Sequence, residues 1–223
     1  MTNIISHTEC MDCVEAMRIY PDKFFDLAIC DPPYGIGQNG SRNHTRSSRI
    51  AKSHDYKGFS GGDKSIPNAE YFEELFRVSK NQIIWGGNYM VEHLPPSMGW
   101  IFWDKDCQND FSDGEFAFTS FKRAAKRFKY TWAGFRQGPK SQSIEKRIHP
   151  TQKPVALYAW LLDNYAKEGD TILDTHLGSG SSRIAAFKKG FDFYGFELDE
   201  HYFDLQQKRF QTETAMPLFD NVL

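Results

Sequence analysis

Short apolar runs bounded by turn residues alternate along this chain with segments of helical periodicity, and that alternation restricts its fold more than any other feature. The runs Phe25–Cys30, Gln82–Gly86, Trp100–Trp103, Glu115–Phe121, Thr171–Asp174 and Phe193–Leu198 have strand length and turn signals at their ends, so each is expected to form a strand. Between them Met11–Ile19, Ala69–Lys80, Val155–Ala166, Ser182–Lys189 and Glu200–Thr212 are spaced as helices, with Pro154 suited to the first turn of the third and Gly190 to the stop after the fourth. Such alternation predicts an α/β fold, a mostly parallel sheet with helices on both faces. A chain of 223 residues is expected to fill one domain, 1–223.

Two of those strands end in residues able to do chemistry. Asp31-Pro32-Pro33-Tyr34 follows the first, and Asp174-Thr175-His176-Leu177-Gly178-Ser179-Gly180-Ser181 closes the fifth. Ligand crevices in open α/β sheets lie at the carboxyl ends of strands, which favours function over a plain surface turn at Asp31. An exocyclic amino group on a flat base is a poor nucleophile because its lone pair is delocalised. A carboxylate at Asp31 and the carbonyl of Pro32 can accept its two N–H bonds, localising the pair and stabilising the developing positive charge. Pro32 and Pro33 fix the backbone and bring no competing N–H, and Tyr34 offers a stacking face. The glycine turn Gly178-Ser179-Gly180 before a helix allows close backbone approach to a ligand, and the helix N-terminus favours a carboxylate. A dinucleotide site is the rival there, but its fingerprint requires a glycine where this chain has Arg183. Glu197, at the end of the next strand, can accept both hydroxyls of a ribose or stand as a solvated strand end.

Two polar stretches interrupt the alternation. The first, an inserted loop over 35–63, carries Arg42, His44, Arg46, Arg49, Lys52, His54 and Lys57; loops that long are functional or disordered. The second, over 104–148, concentrates Lys122, Arg123, Lys126, Arg127, Lys129, Arg136, Lys140, Lys146 and Arg147, so a net charge of −2 hides a local basic surface. Arg42, Arg46, Arg49, Lys122, Arg123, Lys126, Arg127, Lys129 and Arg136 are the candidate nucleic-acid contacts, the alternative being a solvated face. Phe128, Tyr130, Trp132 and Phe135, interleaved with them, serve base stacking or pack inward as alternate strand residues do.

No apolar stretch has the length of a membrane helix and Met1 to Glu9 lacks the pattern of a signal peptide, so a cytoplasmic location without membrane contact is expected. Cys10 and Cys13 have zinc-like spacing, but Cys30 and Cys107 stand alone; reduced structural thiols and no metal are expected.

The paired motifs, in this order, resemble the amino-methylating DNA methyltransferases. The likeness covers His7 to Tyr34, His149 to Leu162 and Gly169 to Tyr202. It implies a Rossmann-like S-adenosylmethionine-dependent methyltransferase fold and S-adenosyl-L-methionine as cofactor. The order, catalytic block first and cofactor turn last, resembles the β group, a circular rearrangement of the same sheet whose members are often homodimers. The resemblance makes Asp31, Pro32, Pro33 and Tyr34 catalytic, with Asp31 also facing the cofactor. It gives Asp174, Thr175, Gly178, Ser179, Gly180 and Ser181 to the methionine part, Glu197 to the ribose, and Asp12 with Cys13 to the cofactor adenine. Thr151 and Lys153, within His149-Pro150-Thr151-Gln152-Lys153-Pro154, become contacts to the methionine carboxylate. The aspartate form of the catalytic motif implies adenine N6 in double-stranded DNA, reached by flipping the base out of the helix. Cytosine N4, adenine in RNA and a catalytically silent nucleic-acid-binding homologue are the alternatives. Members usually carry Pro-Phe where this chain has Thr175-His176, and the segment over 104–148 stands where target recognition is expected. Met216-Pro217-Leu218-Phe219 faintly resembles a tail that docks on sliding clamps, against simple self-docking of an apolar terminus.

Overall fold

The computed structural model describes residues 4–37, 58, 63–106, 112–133, 136–138 and 144–215. Its elements run β1 (Ser6–Cys10), α1 (Cys13–Ile19), β2 (Phe25–Cys30), α2 (Ala69–Val78), β3 (Ser79–Trp85), β4 (Ile101–Asp104), β5 (Gly114–Thr119) and β6 (Lys126–Lys129). The hairpin β7 (Trp132–Ala133) and β8 (Arg136–Gln137) follows, then α3 (Val155–Tyr165), β9 (Thr171–Asp174), α4 (Ser181–Lys189), β10 (Asp192–Glu197) and α5 (Glu200–Thr214).

The main sheet has the order β1-β10-β9-β2-β3-β5-β4-β6. From β1 to β3 every pairing is parallel, whereas β5 runs antiparallel to both β3 and β4. Parallel strands buried on both sides read as nearly unbroken apolar runs, and β2 shows why. Leu27 and Ile29 join a core with Leu157, Leu161 and Ala186 of α3 and α4, while Ala28 and Cys30 join one with Met17, Tyr71 and Leu75 of α1 and α2. Helices therefore cover both faces. After β2 the chain steps outward to β3, and after β9 it steps the other way to β10, so the reversal of strand order falls between β2 and β9.

Several elements differ from the sequence expectation. Helix α2 stops at Val78 rather than Lys80, because Ser79 turns into extended backbone, caps Leu75 O with its hydroxyl at 2.5 Å and pairs with Phe25 of β2. Pro154 is the N-cap of α3, one position before its first turn. Strand β1 has no apolar run because it is a half-buried sheet edge, and β6 sits inside the basic segment as the opposite edge. The inserted stretch over 35–63 is described only at its two ends and at Gly58, and Arg42, Arg46, Arg49, Phe135 and Met216–Phe219 lie outside the described residues. No helix among the described residues is long and apolar enough to cross a membrane.

Candidate active site

The carboxyl ends of adjacent parallel strands each deliver an acid: Asp12 just past β1, Glu197 on β10, Asp174 on β9 and Asp31 just past β2. Backbone two residues on satisfies three of them. Asp12 caps α1 by accepting from Val14 N at 2.8 Å and Glu15 N at 3.1 Å. Asp174 accepts from His176 N at 3.0 Å and from Ser182 Oγ at 2.5 Å. Glu197 accepts from Asp199 N at 2.9 Å and from Gly178 N at 2.7 Å, which ties the glycine turn to β10. Asp31 differs because the residue two positions on is Pro33, which has no N–H to give. Its oxygens take side-chain donors instead, Lys153 Nζ on Oδ2 at 2.6 Å and the Tyr34 hydroxyl on Oδ1 at 2.7 Å.

Lys153 reaches Asp31 from the segment leading into α3, and its side chain is only 4% exposed. On its other side Nζ lies 3.1 Å from Glu115 Oε2, and Glu115 Oε1 accepts from Lys105 Nζ at 2.5 Å. A chain of alternating charges, Asp31-Lys153-Glu115-Lys105, thus runs along the upper edge of the sheet. Burial pushes the Asp31 carboxyl up against the opposing pull of Lys153. Burial also acts to raise Glu115, but Lys153 and Lys105 overcome it and hold the carboxyl down at about 2. Lys153 is held above its usual value because Asp31 and Glu115 outweigh its desolvation. The resemblance gave Lys153 to a methionine carboxylate; the structure commits its ammonium to these two acids.

The Tyr34 ring lies against bare backbone at Gly86, where an added Cβ would sit 2.2 Å from Cε1 and where φ of +68° further favours glycine. Tyr89 stacks on the ring at 5.4 Å between centroids and 17° between planes, and is 46% exposed. Sequence reasoning missed both Tyr89 and Glu115. Tyr89 follows β3 in a short 3-10 turn with no motif around it, and Glu115 reads as one polar residue opening a strand.

Around Asp174 the polar groups are buried and paired. Burial raises its carboxyl to about 7, with the two donors pulling the other way. Thr175 Oγ1 lies 2.8 Å from Tyr71 Oη and 2.9 Å from His176 Nδ1, and the His176 ring meets Tyr71 edge-on. Thr175-His176 is therefore built into the core through α2, and desolvation lowers His176 to about 4, a neutral imidazole near neutral pH. Gly178 and Gly180 have φ of +50° and +73°, and a Cβ on Gly180 would press on Gln206 at 3.1 Å. Arg209 of α5 donates to Ser179 O at 3.0 Å and Ser181 Oγ at 2.9 Å, and is held by Glu145 at 2.8 Å. No sequence pattern announces this long-range brace. Thr151 is exposed, with Oγ1 3.1 Å from His149 Nδ1. Cys13 opens α1, and burial raises its thiol well above the usual range.

The basic segment divides. Lys122, Arg127, Lys129 and Arg136 are exposed, although Lys129 pairs with Asp106 at 2.9 Å and Arg127 stands 4.0 Å from Asp104. Lys126 is half-buried, and Arg123 serves the fold, donating to Asn164 O at 2.7 Å with its guanidinium over Tyr165. Of the interleaved rings, Phe128, Tyr130 and Trp132 pack inward: Phe128 stacks on Tyr130 and meets Trp160, and Trp132 donates to Gln152 O at 2.8 Å. No group of His, Cys, Asp or Glu able to hold a metal occurs among the described residues.

Residues 103–208 match the DNA methylase family of N6/N4 type. The Type II methyltransferase M2.DpnII of Streptococcus pneumoniae is 30% identical over 114 residues, which cover 50% of this chain and 37% of that protein, so the chain spans little more than a third of that relative. M.HpaI of Haemophilus parainfluenzae, also a Type II methyltransferase, is 22% identical across 92% of this chain and 74% of its own length. Two solved structures share the fold. The M1.HpyAVI–SAM complex superposes with a TM-score of 0.56 at 19% identity, covering 91% of this chain and 98% of that one. The cytosine-N4-specific PvuII DNA methyltransferase does so with a TM-score of 0.59 at 11% identity, covering 99% and 89%. Residues 103–208, just under half of the chain, are thus similar to the N6/N4 DNA methylase family, and the relatives it matches along its length are Type II DNA methyltransferases.

Proposed function

We propose that the chain transfers a methyl group from S-adenosylmethionine to adenine N6 in double-stranded DNA, acting on a base flipped out of the helix. One observation carries this reading. Among the described residues Asp31 is the strand-end acid without a backbone donor, and it stands where the strand order reverses, beside the glycine turn of the neighbouring strand. A carboxylate held, among the described residues, by side-chain donors can exchange one of them, the Tyr34 hydroxyl, for a substrate N–H.

The residues present fit the cofactor. Two glycines with left-handed backbone open the turn before α4, whose N-terminal N–H groups favour a carboxylate, and Asp12 and Glu197 supply acceptors for adenine and ribose along the same edge. When bound, it supplies a methyl group already activated by a positively charged sulfur. The remaining tasks fall to the chain. Asp31 Oδ1 and the Pro32 carbonyl accept the two N–H bonds of the amino group and stabilise the charge that develops on nitrogen. The Tyr34 face receives the base, and stacking of about 1–3 kcal/mol offsets part of the cost of unstacking it from the duplex. Alignment of nitrogen with the methyl carbon is then a matter of position. The exposed Arg127, Lys129 and Arg136 supply phosphate contacts.

Incubation with duplex DNA and methyl-labelled S-adenosylmethionine, followed by digestion to nucleosides, should give N6-methyladenine. N4-methylcytosine would reassign the base, preference for matched RNA would reassign the polymer, and cofactor and DNA binding without any labelled nucleoside would overturn the reading.

A further inference from the structure

Glu115 is the second residue of β5, at the same end of the sheet as Asp31, yet the transfer scheme above makes no use of it. Its side chain is 23% exposed and takes Lys105 on Oε1 at 2.5 Å and Lys153 on Oε2 at 3.1 Å, with the Tyr34 hydroxyl 3.3 Å from Oε2. Asp31, meanwhile, has both oxygens engaged, by Lys153 and by the same Tyr34 hydroxyl. An amino N–H arriving at Oδ1 competes there with the Tyr34 proton, and at Oδ2 with the Lys153 ammonium.

Lys153 is not the partner to leave. Its ammonium is buried between two carboxylates and beside the Tyr34 and Trp85 rings, 5.4 and 5.5 Å from their centroids, and removal from either acid strands a charge. The Tyr34 hydroxyl can leave at little cost. It has a single proton to donate, given to Asp31 at 2.7 Å while Glu115 waits at 3.3 Å, and Lys153 Nζ donates to its oxygen at 3.0 Å. Rotation of the O–H about the ring bond moves the proton from one acid to the other while Lys153 keeps the oxygen, and so the stacking face, in place.

We propose that Glu115 is a positioning residue of the transfer site, anchoring Lys153 against Asp31 and receiving the Tyr34 hydroxyl when an amino group takes its place on Asp31. This rests on the reading of Asp31 as acceptor of the base amino group. The hand-over breaks and makes hydrogen bonds only.

Glu115→Gln keeps the shape and removes the charge. In turnover it lowers kcat roughly ten- to hundred-fold and leaves S-adenosylmethionine affinity nearly unchanged. In the Tyr34→Phe background, where no hydroxyl remains to hand over, the same substitution costs less. A readout independent of turnover is the titration of the Asp31 carboxyl in the ligand-free protein, followed by carbon-13 NMR. The groups facing Asp31 are Lys153, Glu115, Tyr34, Asp174 and Tyr158. Removal of the one negative charge at Glu115 shifts the Asp31 titration to lower pH. Lys105→Gln, which removes a positive charge farther out, shifts it to higher pH and serves if the first variant folds poorly. Unchanged kcat with an unmoved Asp31 titration in both variants would overturn the role of Glu115 and leave methyl transfer standing. Absence of transfer in the wild type would instead remove the reading beneath it, and the NMR shift would still report whether Glu115 and Lys153 govern Asp31.

Discussion

Asp174 and Asp31 end neighbouring strands of one sheet and have nearly opposite surroundings. Asp174 accepts from a backbone N–H two residues on and from the hydroxyl of Ser182 in the helix that follows; Asp31 accepts from the ammonium of Lys153, far along the chain, and from the phenol of Tyr34, three residues on. Asp12 and Glu197 repeat the Asp174 pattern. Local backbone donors come with the turn itself and cannot leave without unfolding it. Such acids shape a pocket. A hydroxyl donor can rotate away, so in the proposed reading Asp31 is the acid able to trade a partner with a substrate, and Pro33, two positions on, denies it the local alternative.

The largest expected consequence separates Asp31 from Asp12. Asp31→Asn should reduce methyl transfer by on the order of 10²–10³ or more, as removal of a group aimed at developing charge does, with cofactor affinity by calorimetry little changed. Asp12→Ala should instead cost about 1 kcal/mol of stability, the usual worth of an N-cap, readable by urea denaturation. Loss of cofactor binding with normal turnover in Asp31→Asn would erase the contrast.

A smaller effect is expected at Pro33. Pro33→Ala gives Asp31 the backbone N–H that the other acids enjoy. A hydrogen bond to a charged group is worth about 1.5–3 kcal/mol, so competition by this donor should lower kcat roughly ten- to hundred-fold. The fold should survive, with a loss of about 0.4–1 kcal/mol from the freer unfolded chain. Unaltered kcat, with the new N–H protected from exchange by Asp31, would show that a local donor does not disarm the acid.

How far the sequence reached follows the same division. The strand ends, the glycine turn and the acids at 12, 31, 174 and 197 were legible because each is a local event: an apolar run, then a turn residue, then a helix signal. Glu115, Tyr89, Tyr71 and the Glu145–Arg209 brace were not, because each acts through a partner far along the chain. The early end of α2 belongs here too. Lys80 continues a helical pattern on paper, and only the ladder with β2 and the 2.5 Å pair with Asp26 draw it into a strand. The basic segment was over-read in one respect: Arg123 braces the end of α3, a contact with a backbone carbonyl that composition cannot reveal.

The effect that leaves turnover untouched, and so tests the comparison without any substrate, is the pH dependence of stability. Asp174 is raised to about 7 by burial from 3.8, so between those values the folded state holds a proton that the unfolded chain has lost. Its ionisation therefore opposes folding above pH 7, and that cost is relieved as pH falls toward 4. Glu115 goes the other way: lowered to about 2 from 4.5, it contributes stability that is complete above 4.5 and is lost only as pH falls through that range. Between pH 5 and 7.5 the stability of the wild type relative to Asp174→Asn should accordingly rise on acidification, with a slope approaching about 1.4 kcal/mol per pH unit. Relative to Glu115→Gln it should stay flat. Taking differences between variants cancels His149 and His176, which burial lowers to about 3 and about 4 and which destabilise the fold as pH drops below 6.5. A flat difference for Asp174→Asn would mean that backbone and hydroxyl donors hold that acid ionised as effectively as the two lysines hold Glu115, and the distinction between a pocket-shaping acid and a partner-trading one would then rest on exchange of donors alone.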